Sequence, residues 1–329
     1  MHMATMSRWI VPVLVALAAM LHGGSAGAQE FPGRIVKLVV PYPPGGGVDG
    51  LARAFTEPLS RRWGQTVIVE NKPGASTMIG GADVARSPAD GNTLFFTTDS
   101  SITSNPHLFK KMMYDPIKEL TGVTQLIDLH QLVLVHPSVT ANTLQELVAL
   151  AKAQPDKLNY GSYGVGSQPH LLFEMLQKET GIKIQQVSYR GIAPAITAVI
   201  AGDVQMTLGG VSVAAGHIAS GRLKPLALGR ATREKTLPDT PTLKEAGFPG
   251  IDPRSWFGLF APAGTPPAVV AKIQRDVAAV LNDPEFKARF IDGPGFTGVG
   301  STPEAFAKFV EEDFTYKRNL IAVTGITAD

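Results

Sequence analysis

The sequence predicts an α/β protein of two lobes, each with a central sheet flanked by helices. Apolar runs typical of buried strands alternate with segments whose apolar residues recur at helical spacing. The chain has 329 residues, which is more than one average domain. Two apolar runs, 123–127 and 132–135, follow each other closely and predict strands that cross from the first lobe into the second.

Composition excludes several classes of protein. Hydrophobic residues make up 44% of the chain and charged residues 18%, as in an ordinary globular protein with an ample core. The formal net charge of +2 and the lack of any Lys/Arg run exclude nucleic acid as a partner. Because the chain has no cysteine, it has no disulfides, thiol catalysis, Cys-based metal site or lipid anchor on cysteine.

The first 28 residues have the pattern of a secretory signal peptide. Arg8 is the only charged residue before Gln29 and precedes an apolar run, 9–21. Small residues ending in Ala28 then form an A-x-A cleavage site. The apolar run is too short for a comfortable membrane span. We therefore expect residues 1–28 to be a signal peptide, cleaved near Ala28, and the mature protein to be exported.

The first strand and helix enclose a glycine-rich turn. An apolar run at 35–40 predicts a strand, and apolar residues 51, 54, 55 and 59 predict the helix that follows. Between them lies Pro41-Tyr-Pro-Pro-Gly-Gly-Gly-Val-Asp49. Glycines let the backbone approach a ligand closely, and backbone N–H groups at a helix start favour an anion. Such a turn is also used simply to pack strand against helix, so by itself it only weakly favours an anion site.

The next α/β units lead to polar residues at the end of a third strand. The sequence predicts a strand at 67–70, a helix at 79–86 and a strand at 93–97, followed by polar residues 98–105, which include Ser101. Ligands of open α/β sheets lie beyond the carboxyl ends of the strands. We therefore include Ser101 among the candidate site residues.

A second glycine-rich turn repeats the arrangement of the first. A strand at 158–160 ends in Gly161-Ser-Tyr-Gly-Val-Gly-Ser167, and a helix follows over 168–180. Ser167 is placed as its N-cap and Pro169 in its first turn. Two such turns in separate halves indicate an anion site much more strongly than one.

The remaining elements complete two normal-sized lobes. They are a capped helix at 143–153, strands at 184–187, 205–208 and 226–228, helices at 194–201, 213–220 and 242–246, a strand at 255–260 that returns to the first lobe, a helix at 267–282, and a last helix from the capping box Ser301-Thr-Pro-Glu304.

The sequence contains no catalytic constellation. There is no G-x-S-x-G, H-E-x-x-H or Walker A pattern. His170 either faces a ligand or braces the second turn through a hydrogen bond. For Asp49 the favoured interpretation is a charge partner of its own helix N-terminus, and the less favoured one is direct recognition of the ligand. Arg190 follows a strand end, where it clamps a carboxylate or is simply solvated.

Taken together, the motifs resemble one known family along essentially the whole mature chain. The matching segments are Pro41 to Asp49, Glu70-Asn-Lys-Pro-Gly-Ala75, Tyr114-Asp-Pro116, Leu158 to Ser162, Gly164 to His170, Tyr189-Arg-Gly191 with Pro194-Ala195, Leu237-Pro-Asp-Thr-Pro241 and Trp256 to Pro266. They resemble the tripartite tricarboxylate transporter substrate-binding proteins, also called Bordetella uptake gene (Bug) receptors.

The resemblance implies a type II-like periplasmic binding protein that is not an enzyme. Lobe 1 would comprise 29–127 and 254–329, and lobe 2 would comprise 128–253. The two glycine turns would grip the carboxylate of a ligand in the cleft. The residues assigned to ligand binding are Tyr42, Pro44, Gly45, Gly46, Gly47, Asp49, Ser101, Ser162, Gly164, Gly166, Ser167, His170, Arg190 and Gly210. A monomeric receptor without cofactor or metal would deliver its ligand to a membrane permease of one large and one small subunit.

The sequence departs from the family where the far end of the ligand would be recognised. Gly74-Ala-Ser-Thr-Met-Ile-Gly80 stands where relatives usually have Gly-Ala-Gly-Gly-Asn-Ile-Gly, Arg190 replaces a lysine, and Gly209-Gly210 replaces Asp or Asn. Citrate-like acids, aliphatic dicarboxylates, aromatic carboxylates, nicotinate and acidic amino acids all remain open. The missing carboxylate at 209–210 disfavours an amino acid as the ligand.

Two alternative functions remain. One is a sensor for a signalling partner, and the other is a secreted enzyme that uses His170 or Asp49 as a base. The sequence offers no nucleophile, metal set or acid/base pair for such an enzyme.

Overall fold

The computed structural model describes residues 31–230 and 232–328, and the predicted signal peptide lies outside these residues. The strands are β1 (Val36–Val40), β2 (Val67–Asn71), β3 (Thr93–Thr98), β4 (Leu120–Leu129), β5 (Gln131–Val135), β6 (Asn159–Ser162), β7 (Gln185–Ser188), β8 (Met206–Gly210), β9 (Lys224–Gly229), β10 (Ser255–Pro262) and β11 (Phe296–Gly298). The helices are α1 (Gly47–Trp63), α2 (Met78–Ala85), α3 (Asn105–Leu108), α4 (Leu144–Ala153), α5 (Gln168–Thr180), α6 (Ile192–Ala201), α7 (Val211–Ala219), α8 (Pro267–Leu281), α9 (Pro284–Phe286) and α10 (Pro303–Thr324). Among the described residues, no helix has both the length and the apolar character that a membrane span requires.

The first sheet combines strands from both ends of the described chain. Its order is β11-β4-β10-β3-β1-β2. β1 runs parallel to β2 and β3, whereas β10 is antiparallel to both β3 and β4. The predicted return of residues 255–260 to the first half is therefore confirmed. The edge strand β11 was not predicted, because three residues are too few to show a period.

The second sheet uses an unbroken stretch of chain. Its order is β7-β6-β8-β5-β9. β6 is parallel to β7 and β8, and β5 is antiparallel to β8 and β9. Only His130 separates β4 from β5, so the chain passes directly from one sheet to the other, as the paired apolar runs predicted. The structure confirms the α/β fold class with two sheets flanked by helices.

Each sheet has its own apolar core. Helix α1 buries a stripe that includes Leu51, Phe55 and Leu59 against the first sheet, and it ends at Gly64, which has φ 62°. In the second core, the rings of Tyr160 and Phe173 lie 4.6 Å apart between β6 and α5. Burying one such side chain contributes about 1.5–3 kcal/mol. The cores hold both halves without disulfides.

An apolar cluster joins the two halves. Helix α10 packs against β4 of the first sheet and also against α5 beside the second. Leu108 and Leu171 meet Leu320 and Ile321 of α10 in this cluster. The last helix therefore spans the boundary between the halves.

Two local predictions were wrong. Residues 242–246 form a single hydrogen-bonded turn instead of a helix, because Pro241 precedes it and Gly247, at φ +81°, ends it. The last helix is capped by Thr302, whose Oγ1 accepts from the Ala305 N–H at 3.2 Å. The Ser301 hydroxyl instead accepts from the Gln125 N–H of β4 at 2.9 Å.

Candidate ligand site between the two sheets

The first glycine turn is open to solvent at the carboxyl end of β1. Gly46 is the N-cap of α1 and makes no side-chain cap, so the first N–H groups of the helix lack that partner. A Cβ placed on Gly45, Gly46 or Gly47 would meet no atom within 4 Å. Gly45 has φ +89°, a conformation that favours glycine. Pro44 beside it is exposed. The turn can therefore bring backbone N–H groups close to an anion.

Asp49 braces this turn from below. It is 2% exposed, and its Oδ2 accepts from the Gly45 N–H and the Arg53 Nε, both at 2.9 Å. Its Oδ1 accepts from Asn71 Nδ2 at 2.9 Å, and the same amide group donates to the Tyr42 carbonyl at 3.0 Å. The carboxylate thus links the turn, the helix and the end of β2. This geometry matches the interpretation of Asp49 as a partner of its own helix start.

These contacts keep Asp49 ionised. Burial by itself raises the pKa of the carboxyl, but hydrogen bonds from Arg53, Gly45 and Asn71 outweigh it and hold the pKa below its usual value. A buried negative charge beside the turn would repel an anion in direct contact with it. The structure therefore places Asp49 as a supporting residue for the turn.

The second glycine turn is held by its serines. The Ser162 hydroxyl is completely buried, where it accepts from Gln186 Nε2 at 2.6 Å and from the Gly164 N–H at 3.3 Å. Ser167 is the N-cap of α5, as predicted, yet its hydroxyl donates to the Gly164 carbonyl at 2.6 Å instead of capping the helix. Ser167 therefore provides no side-chain cap to the N–H groups at the start of α5.

His170 braces the second turn, one of the two alternatives left open by the sequence. Its Nδ1 accepts from the Gly166 N–H at 3.1 Å. Burial lowers the pKa of His170, which favours the neutral ring that can accept this bond. Gly166 itself has φ +72°, and a Cβ there would lie 2.0 Å from Leu108 Cδ1. Gly166 therefore serves the contact between the halves.

The second turn meets the strand ends of the first sheet, since Gln168, directly after that turn, donates its side-chain amide to Asp99, directly after β3, at 2.5 Å. Tyr42 of the first turn has its hydroxyl 2.7 Å from Thr98 Oγ1, and burial, with a smaller effect of Asp99, raises its pKa to about 12. Tyr163 of the second turn has its pKa raised by burial, then by the charge of Asp99, then by Tyr42. Such electrostatic effects need proximity. The hydroxyls of Tyr42 and Tyr163 therefore lie in one polar region shared by both turns.

A buried ion pair lies beneath this region. Lys317 of α10 is completely buried, with Nζ 3.1 Å from Asp99 Oδ2. Burial raises the pKa of Asp99, and the Lys317 charge opposes that effect. Asp313 accepts from Thr103 Oγ1 at 2.6 Å and from Trp256 Nε1 at 2.9 Å. This charged group anchors the strand ends of the first sheet to the last helix.

Ser101, Arg190 and Gly210 occupy different positions. Ser101 is completely buried, and its Oγ lies 2.6 Å from Thr97 Oγ1. Arg190 is exposed, two residues beyond Ser188, the register partner of Ser162 on β6. Gly210 ends β8, which runs parallel to β6. Arg190 and Gly210 thus follow neighbouring strands at the same edge as the second turn, while Ser101 lies below the first.

Four residues in this region were not assigned individually from the sequence: Thr77, Asp99, Tyr163 and Gln168. Thr77 lies in the segment 74–80, which departs from the family pattern. Tyr163 lies inside the second glycine turn and Gln168 directly follows its N-cap, so both were within the motif but were not singled out. Asp99 lies in the polar segment after β3. Within the described residues, no group of three or more His, Asp or Glu side chains is placed to hold a metal ion.

Two α/β halves that meet at glycine-rich strand ends define a periplasmic binding protein, and comparison with known proteins agrees. The model of the "Tripartite tricarboxylate transporter family receptor" family matches residues 51–326, and the chain belongs to this family. The resemblance found in the sequence is thereby confirmed.

Individual relatives support this membership. The protein is 29% identical to BugT of Bordetella pertussis, over 97% of this chain and 98% of BugT. The structure of R. palustris Rpa4515 with adipate has a TM-score of 0.83 and 32% identity, and the match covers 91% of this chain and 99% of that one. MatC from Rhodopseudomonas palustris with bound malate has a TM-score of 0.80 and 28% identity, covering 88% and 100%.

Proposed function

We propose that the protein is a periplasmic solute-binding receptor that captures a small carboxylate between its two halves and delivers it to a tripartite tricarboxylate transporter. The observation that carries the proposal is the placement of two glycine-rich helix starts, one from each sheet and the first of them open to solvent, near Tyr42 and Asp99. Family membership supports it. The partner in the membrane would be the permease with its large and small subunits.

Binding would require both halves. A helix N-terminus contributes only about 0.3–1 kcal/mol to an exposed anion, and more when water is excluded. A ligand that touches both turns therefore favours closure, since it interacts better with the closed state. We propose lobe 1 as residues 29–127 and 254–329 and lobe 2 as residues 128–253, which assigns each sheet to one lobe apart from the last two residues of β4.

We divide the site residues into two groups by exposure. Direct ligand contact would fall to open or partly open positions: Tyr42, Pro44, Gly45, Gly46, Gly47, Gly164, Arg190 and Gly210. Support of the two turns would fall to buried residues: Asp49, Ser101, Ser162, Gly166, Ser167 and His170.

Dicarboxylates are the proposed ligand class. Two relatives have structures with adipate and with malate, both dicarboxylates. Arg190 forms no ion pair in the part of the chain that the structure describes. Its guanidinium can therefore clamp a second carboxylate of the ligand.

The proposal is tested by calorimetry on the mature chain beginning at Gln29, with malate, adipate, citrate and terephthalate. We expect one molecule of at least one acid to bind and to be recovered unchanged. At 100 times its Kd it should stabilise the fold by about 2.7 kcal/mol. Binding of none of the four acids would refute the receptor, and chemical conversion of a bound acid would indicate an enzyme.

Arg190→Gln tests the dicarboxylate class. The variant should lose affinity for the dicarboxylate and keep its affinity for a monocarboxylate of similar length. Arg275→Gln, on the exposed face of α8, is the matched control and should change neither affinity.

Delivery to the permease is tested separately. Cells that lack the receptor should lose permease-dependent uptake of the labelled ligand.

A further inference from the structure

Thr77 lies in the loop between β2 and α2, next to the first glycine turn. β1 and β2 are parallel with Val40 opposite Asn71, so their carboxyl ends reach the same edge of the sheet. Helix α2 packs closely behind the turn, since a Cβ on Gly80 would lie 3.0 Å from Pro41 Cβ. The Thr77 side chain is therefore in the layer that supports the candidate site. It is 7% exposed, so it is nearly but not completely covered.

The Thr77 hydroxyl already accepts two hydrogen bonds. Ser101 Oγ donates to Thr77 Oγ1 at 2.8 Å, and Asn105 Nδ2 donates to the same oxygen at 3.2 Å. A hydroxyl has two acceptor lone pairs and one donor hydrogen. Both lone pairs are used, and among the described residues no acceptor receives the Thr77 proton. The Thr77 hydroxyl therefore keeps one donor hydrogen that no described residue accepts.

The direction of the bond from Asn105 is fixed by its neighbour. The Asn105 amide also donates to the Ser76 carbonyl at 2.6 Å, and a carbonyl can only accept, so the NH₂ group faces the loop. Because Ser101 Oγ donates its single proton to Thr77, Thr97 Oγ1, 2.6 Å away, is the donor in the bond between Thr97 and Ser101. The chain of hydroxyls thus runs from Thr97 through Ser101 to Thr77. Bonds in such a chain polarise one another and strengthen the last donor.

The loop holds Thr77 in an unfavourable conformation. Ala75, Ser76 and Thr77 have φ values of 44°, 49° and 77°, in the left-handed region. A β-branched residue there is an outlier, and it persists only where the surroundings impose it. The bond from Asn105 to Ser76 is one such constraint. The backbone conformation and the hydroxyl chain therefore fix the same side chain.

We propose that the Thr77 hydroxyl donates a hydrogen bond to a carboxylate oxygen of the bound ligand and helps to select it. This inference rests on the proposed receptor function. A hydroxyl that is free only to donate can bond to a carboxylate oxygen, which accepts. It cannot bond to an ammonium group, which only donates. Thr77 also explains the role of Ser101, which is buried and acts on the ligand through Thr77.

Calorimetry with malate and adipate on Thr77→Val and Thr77→Ser tests the inference. Valine keeps the branched shape and removes the hydroxyl, so we expect a 10- to 100-fold rise in Kd, the range for a bond to a charged group. Serine keeps the hydroxyl and should retain most of the affinity. Thr265→Val is the matched control, because Thr265 is similarly buried, at 5% exposed, and donates to the Pro262 carbonyl at the end of β10 away from the site. That variant should bind as the parent does.

Thr77→Gly covers the case in which valine does not fold. Glycine takes φ +77° without strain, so this variant should remain folded and still lose affinity. If the parent binds malate or adipate and Thr77→Val or Thr77→Gly binds with the same Kd, the inference is refuted while the receptor function stands. Equal losses in Thr77→Ser and Thr77→Val would show a purely structural role and would also refute it. Failure of the parent to bind any acid would refute the receptor function itself.

Discussion

Gln168 donates its side-chain amide to the carboxylate of Asp99 at 2.5 Å, and the two residues belong to different halves of the protein. Gln168 is the first residue of α5, directly behind the second glycine turn, and Asp99 follows β3. Asp99 also accepts from Ser255 Oγ at 3.0 Å and pairs with Lys317. The helix start that would bind the ligand is therefore positioned by a buried charge of the opposite half.

Removing the cation from this group should be costly. In Lys317→Met the buried carboxyl group of Asp99 loses the cation that pairs with it. We expect a loss of about 3–5 kcal/mol in the free energy of unfolding, measured in urea. Lys308→Met on the same helix is the control: Lys308 is 79% exposed and should change stability by less than about 0.5 kcal/mol. A loss below about 1 kcal/mol in Lys317→Met would contradict the prediction.

The loss of stability caused by crowding between residue 166 and Leu108 can be measured separately from the loss caused by backbone strain. Gly166→Ala should destabilise the protein by about 1–3 kcal/mol through overpacking, in addition to the strain at φ +72°. Gly181→Ala is a matched control, since Gly181 has φ +73° with no atom within 4 Å of an added Cβ. It should show the strain alone, about 1–2 kcal/mol. In a Leu108→Ala background, Gly166→Ala should cost less than it does in the parent, and an equal cost in both backgrounds would argue against the contact.

Asp49 should contribute to stability above acid pH. Its pKa in the folded protein lies below the usual value, so its contribution is present above about pH 4 and is lost as the pH falls through the folded pKa. Asp49→Asn should lower stability at pH 7 and reduce the further loss on acidification below pH 4. Urea unfolding between pH 3 and 7 measures both. Glu57→Gln on the same helix is the control, because Glu57 is 79% exposed and its ion pair should contribute little.

His130 should also make stability fall on acidification, but at higher pH than Asp49. Burial and the charge of Arg230 lower its pKa to about 4, while the unfolded chain has a value near 6.5. The unfolded state therefore binds more protons between these values, and stability falls as the pH drops from about 6.5 to 4. His130→Gln should flatten this part of the profile. An equally steep profile in the variant would place the acid sensitivity elsewhere.

The glycine turns were predictable because the signal is local. Each combines an apolar run, several glycines and a helical pattern, and no distant contact is needed to find it. A supporting role for Asp49 and for His170 could be considered from the sequence for the same reason, because their hydrogen-bond partners Gly45 and Gly166 lie four residues away.

The contacts between the halves were not predictable. Gln168 and Asp99 are 69 residues apart in the chain, and Lys317 lies still further along it. Ser101 appeared as a polar residue at a strand end, where ligands often lie. Only the structure shows that Thr97 and Thr77 enclose it. A single sequence shows which residues can make hydrogen bonds but not which distant partner satisfies them.

The position of β10 also bears on how the chain folds. This strand, residues 255–262, lies between β3 and β4, so the first sheet stays divided until the last quarter of the chain arrives. The second sheet, in contrast, is contained within residues 131–229 and depends on shorter loops. Because closing long loops slows folding, we expect the second sheet to assemble first. During that interval β3 presents an unpaired edge, which is the feature of a folding intermediate most open to aggregation.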